Sequence, residues 1–169
     1  MVQTPPREAG ERAVEPWSWA TVSRAVGWIG AVLAAAALAD YALAVFPTGF
    51  GSPEWEMATI GAVVQGLPLF SIGLAGVWVC GAGLGRRGLL LIAGAVFLLA
   101  AVCVLGSLVL FLTDVPVAIR ATQGAARLGI NKLIAKTLIL GLLFVGGFVA
   151  AGVVALKQSR GRPSGEAGV

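Results

Sequence analysis

Asp40 is the one ionisable residue set clearly inside a long apolar run, Ala25 to Phe46. A carboxylate at that depth is costly in hydrocarbon, so such a residue faces a cavity, a partner or a proton path, or lies close enough to water to be solvated. It stands sixteen positions beyond Arg24, about 24 Å along a helix and therefore toward the far boundary of a bilayer. Gln65 enters the next apolar run from that same boundary to a comparable depth, and this placement predicts an Asp40–Gln65 hydrogen bond. Two roles stay open. A carboxylate near water, or paired with Arg120, would orient the first span. A carboxylate lining a path, together with Gln65 and the break at Gly66 to Pro68, would serve transport or proton transfer.

A second polar set lies in the interval Thr113 to Lys136, the only long polar stretch between otherwise apolar runs. Read as a helix begun after Pro116, it places Arg120, Gln123, Arg127 and Asn131 on one face, because steps of three or four residues return to nearly the same azimuth. No proline separates Lys132 and Lys136 from the apolar run Thr137 to Leu156, so one continuous helix is expected to leave the membrane carrying a basic stripe. Gly124 and Gly129 weaken that helix by about 1 kcal/mol each relative to alanine. The stripe is either a solvated connector or an arm that binds a partner.

Other chemistry is missing. The chain contains no histidine, which removes bis-histidine haem ligation, histidine-based zinc sites and the usual Ser-His and Cys-His pairs. Cys80 lies a few residues from the turn Arg86-Arg87-Gly88, whereas Cys103 lies fifteen residues beyond Gly88, about 22 Å deeper. That separation exceeds the reach of about 7 Å between the α-carbons of a disulfide. Both are read as small apolar residues. A non-enzymatic protein without cofactor or metal is the expectation.

The elements that must position these residues follow from composition. Of 169 residues, 58% are hydrophobic and 12% charged, too little charge to cover a water-facing surface. The stretches Met57 to Gly85, Gly88 to Thr113 and Thr137 to Leu156 contain no Asp, Glu, Lys or Arg, and each matches the roughly 20 residues that cross a bilayer. Without the alternation a barrel strand needs, they read as helices. The expected fold is all-α: an integral membrane four-helix bundle with spans over 22–46, 57–82, 88–112 and 133–157, the last preceded by an extended, partly amphipathic helix. Residues 1–15 and 158–169 are expected as disordered tails around a membrane domain of 16–157. Ala37-Leu38-Ala39 before Asp40 resembles a signal-peptide cleavage site, but apolar character continues through Leu43, Val45 and Phe46, as an uncleaved anchor requires.

The net charge of +4 is not a nucleic-acid patch, because the basic residues sit beside spans. Arg7, Arg12, Arg24, Arg86, Arg87, Lys157, Arg160 and Arg162 fall on one side, against Arg120, Arg127, Lys132 and Lys136 on the other. The larger set predicts that both termini are cytoplasmic, in the inner (plasma) membrane of a bacterium. Small residues at helix-contact spacing, Gly27, Ala31, Ala35 and Ala39 in the first span and Gly147 and Ala151 in the fourth, predict close packing within the bundle rather than between copies.

The run Asp40-Tyr41, then Phe46-Pro47, Phe50-Gly51, Pro53 and Trp55 resembles the beginning of the HpsJ-like family, small cyanobacterial membrane proteins associated with cell-surface polysaccharide and exosortase-type systems. Val115-Pro116 with Ile119-Arg120 and Thr122 is similar to that family's segment after the third span. The likeness covers about a third of the chain, and the family's longer polar segment between the third and fourth spans is brief here. The resemblance implies an accessory membrane component with no catalytic set, and makes Asp40, Tyr41, Pro47, Gly51, Pro53 and Trp55 structural signature positions.

The sequence thus leads to the expectation of an accessory or scaffold subunit of a larger membrane complex, possible partners being a membrane protein or a second copy, with Arg120, Gln123, Arg127 and Asn131 as the contact surface. The competing class is a small transporter or channel built on Asp40.

Overall fold

In the computed structural model, residues 18–46, 49, 52–121 and 125–161 are described. They form four helices, α1 (Trp19–Val45), α2 (Pro53–Gly83), α3 (Arg87–Ala121) and α4 (Ala125–Arg160), with no strand among the described residues. All four are long and apolar enough to cross a membrane. Their surfaces agree: Trp28 is 75% exposed, Leu43 73% and Leu143 66%, a belt of large apolar side chains that water would not tolerate and lipid does.

The helices alternate in direction, so the start of α1, the α2–α3 turn and the end of α4 share one end of the molecule, called here the terminal end. The opposite end is the distal end. Ser18 opens α1 by accepting the backbone N–H of Thr21 on its hydroxyl oxygen at 3.3 Å, the usual N-cap arrangement. Pro53 opens α2 at a position where its missing N–H costs nothing. Between α2 and α3, Gly85 takes φ 64°, and the Arg86 N–H reaches back to the Gly81 carbonyl at 3.0 Å. That left-handed residue with its long-range bond is a Schellman ending, and it folds α3 tightly back along α2.

The core lies between α2, α3 and α4. Phe148 of α4 is its hub, with Phe97 of α3 at 5.8 Å and Phe70 of α2 at 6.2 Å between ring centroids. Glycines let α3 and α4 approach: a β-carbon on Gly152 would meet Leu98, and one on Gly94 would meet Leu156. At the terminal end Trp78 Nε1 donates to Gln158 Oε1 at 3.1 Å, tying α2 to α4. Among the described residues, helix α1 packs only against α2. The bundle is therefore a three-helix core with a fourth helix laid along its flank.

Several boundaries differ from those expected. The polar interval is not a helix begun after Pro116; α3 runs through that proline to Ala121, and α4 begins at Ala125. A proline inside a membrane-protein helix leaves the Leu112 carbonyl without its usual donor but need not end the helix. The extended helix leading into the fourth span is present as the first turns of α4. That helix also continues to Arg160 rather than ending at 157, because Gln158 is held by Trp78 and Ser159 is buried. The expected tail 1–15, and residues 162–169 of the expected tail 158–169, lie outside the described residues.

The small-residue stripe of α1 is displaced as well. Gly27, Gly30, Ala34 and Ala37 line or adjoin α2, while Ala31, Ala35 and Ala39 are exposed. Strict steps of four drift by about 40° each on a 3.6-residue helix, so a seam along a neighbouring helix alternates threes and fours. Gly147 is exposed with no atom near its absent β-carbon, and Gly152 makes the approach to α3 instead.

Candidate functional site

The α1–α2 seam sets the site. Its contacts are backbone to backbone near the middle, where a β-carbon on Gly30 would fall 2.5 Å from the Gly73 carbonyl oxygen. Toward the distal end the ring of Tyr41 lies over Gly66, where a β-carbon would fall 2.6 Å from Cε1. Tyr41 also meets Phe70 at 6.3 Å between centroids, and its hydroxyl is buried with no hydrogen-bond partner.

Asp40 immediately precedes Tyr41, and Gln65 immediately precedes Gly66. In an antiparallel pair, the residues preceding two contacting positions emerge on the same side of the seam, since the local twofold axis stands perpendicular to the plane of the two helices. Leu67, on the other flank of Gly66, is buried in the core toward α3 and α4. Asp40 and Gln65 therefore occupy the side away from the core, at one depth, and both are exposed. Gln65 lies nine positions below Glu56 and the Arg86 turn thirty below it; for an apolar slab of about 30 Å centred between them, the tier sits about 6 Å inside the hydrocarbon.

The expected Asp40–Gln65 hydrogen bond does not form among the described residues. Each side chain points off its own helix beside a seam closed by glycine and tyrosine, so both are left facing outward. Pairing with Arg120 is excluded geometrically, because Arg120 stands about 24 Å further along the bundle axis on a helix that α1 does not touch.

The basic stripe is divided. Arg120 belongs to α3, whereas Arg127 and Asn131 belong to α4; all three are exposed at the distal corner with Lys132 and Lys136. Gln123 lies outside the described residues. Of the signature positions, Pro53 begins α2 and Trp55 lies against Gly49, while Pro47 and Gly51 are also outside the described residues.

One pairing was missed in the sequence. Glu56 in the first turn of α2 and Asp114 of α3 come within side-chain hydrogen-bonding reach at the distal end. Asp114 lies just past the apolar run that ends at Thr113, and its Oδ2 is enclosed without a partner. Its carboxyl is pushed above the ordinary range by desolvation first, then by the hydrogen bond and the like charge of Glu56. The signal was available: Glu56 and Asp114 are each twenty-nine positions from Gly85, the pivot of an antiparallel hairpin. Both cysteines are unpaired thiols, Cys80 buried and Cys103 exposed, and no group of three His, Cys, Asp or Glu gathers among the described residues.

No family model, curated protein or solved structure matches the chain.

Proposed function

We propose that this chain is a non-enzymatic accessory or scaffold subunit of a larger membrane complex, and that its α1–α2 flank is where a neighbouring transmembrane helix docks. The observation that carries the reading is the Asp40–Gln65 tier: an acceptor and a donor side by side, exposed, within the hydrocarbon and without mutual satisfaction. Lipid tails offer no hydrogen bonds, so the groups call for a partner helix bearing a cation or a hydrogen-bond donor at the same depth. The attachment of α1 to α2 alone leaves that flank open.

The transporter reading gains less. The cluster at the centre of the bundle is built from Val64, Leu67, Phe70, Phe97, Phe111, Phe148 and similar residues, and Asp40 lies outside it. A carrier would need a polar path between helices, and the tier faces the periphery.

The exposed corner bearing Arg120, Arg127 and Asn131 would be a second, water-side contact. The terminal end holds Arg24, Arg86, Arg87, Lys157 and Arg160, which favours its placement in the cytoplasm of a bacterial cell. A link to polysaccharide export rests on the resemblance at Asp40, Tyr41, Pro53 and Trp55. Affinity purification of the full chain in mild detergent tests the subunit reading: a stoichiometric larger assembly is expected, retained by Asp40→Asn and lost by Asp40→Leu. Migration of the wild-type chain alone would refute it.

A further inference from the structure

At the terminal end a groove of about 400 Å³ opens between α1, α2 and the start of α3, on the side of the seam opposite the Asp40–Gln65 tier. Arg24 of α1 and Arg86 of the α2–α3 turn stand at its mouth, and Trp28, Val77, Leu84 and Leu89 are among the residues that line it. The volume is within the range of clefts that hold small ligands, about 300–1,000 Å³.

The charge is one-sided. No Asp or Glu lines the groove, and neither arginine has an ion-pair partner among the described residues. The acidic residues that are described, Asp40, Glu54, Glu56 and Asp114, all belong to the distal half. Among the described residues the two guanidinium groups are therefore uncompensated where the bundle meets a headgroup layer, and each offers a fork of donors suited to phosphate.

The apolar part continues from the same point. Trp28 is one turn deeper than Arg24 on the same face, about 6 Å toward the membrane centre, and Val77 lies opposite on α2. Charge at the rim with an apolar trough running inward is the complement of a phospholipid, its phosphate at the rim and one acyl chain in the trough. We propose that this groove binds a single anionic phospholipid, with Arg24 and Arg86 holding the headgroup phosphate. Gly27 and Cys80, both in the lining, meet where α1 sits directly on α2, since a β-carbon on Gly27 would fall on Cys80.

The test uses the intact chain in a neutral detergent, with phosphatidylglycerol and phosphatidylcholine of matched acyl chains as probes and native mass spectrometry as the readout. One phosphatidylglycerol per chain is expected to be retained in preference to phosphatidylcholine. The paired change Arg24→Gln with Arg86→Gln should cut that preference roughly 30-fold, the worth of two basic residues beside an anionic headgroup, while the paired change to lysine should keep most of it. Ala31→Trp, which fills the trough and leaves both arginines, should reduce retention too. Equal retention of the two lipids by the wild-type chain would overturn the proposal, and this comparison stands even if a variant fails to fold. So would inorganic phosphate displacing the lipid at equal concentration, since the site would then recognise the anion without the chain.

Discussion

A β-carbon on Gly73 would fall 2.5 Å from the backbone nitrogen of Ala34, so these two positions of α2 and α1 are in backbone contact and only glycine fits at the first. Because α1 packs on no other described helix, its attachment depends on this seam. Gly73→Val should separate α1 from the core at a cost of about 1–3 kcal/mol, the range for overpacking. Labelling of Cys80, buried in the wild type beneath Gly27, is the check: in a Cys103→Ser background a maleimide should react slowly with the parent and many times faster with the variant.

The α2–α3 turn makes a smaller prediction. Gly85 has φ 64°, where a β-carbon costs about 1 kcal/mol. Gly85→Ala should lower stability in detergent by about that amount, seen as a modest fall in the melting temperature, while the Trp78–Gln158 tie at the same end persists.

Asp114 and Glu56 predict a pH dependence of definite sign. An acid whose folded pKa is raised binds its proton more tightly in the native state than in the unfolded one, so its contribution favours folding at low pH and is lost as pH rises through the folded value. Stability should therefore fall as pH rises above the ordinary carboxylate range. Asp114→Asn should flatten that fall, leaving the variant more stable than the parent at neutral pH. Thermal unfolding of both chains across pH 4 to 8 in a non-ionic detergent measures it.

The distal corner predicts an effect on association alone. Reversing charge with Arg120→Glu and Arg127→Glu changes two exposed side chains and should leave the stability within about 0.5 kcal/mol of the parent's. It should weaken recovery of the assembly, and the difference from the parent should shrink as salt is raised, because salt screens both the parent's attraction and the variant's repulsion.

How much was legible in the sequence depends on which physical rule governed each feature. The four spans were readable because charge-free runs of sufficient length have few alternatives in lipid. The hairpin at Arg86 and Gly85 was readable for the same reason, and its register would have paired Glu56 with Asp114 had positions been counted from the turn. The continuation of α3 to Ala121 was not legible, because Pro116 suggests a helix start in water but is tolerated inside a membrane-protein helix. The seam of α1 was half legible: Gly27 was among the expected contacts, but Gly30 and Ala37 depend on the drift of the helix relative to its neighbour. Asp40 and Gln65 stand at one level along the seam but are not a bonded pair, since level follows from counting residues while azimuth depends on which residues meet across the seam.

The docking of a partner on the α1–α2 flank is tested most directly by photo-cross-linking in native membranes from positions 36 and 72, which lie beside Asp40 and Gln65 and are exposed. Position 142 on the exposed side of α4 serves as the control. A discrete protein adduct from 36 and 72 is expected, absent from 142, kept in Asp40→Asn and lost in Asp40→Leu. Adducts to lipid alone from all three positions, or a protein adduct indifferent to Asp40→Leu, would contradict the account.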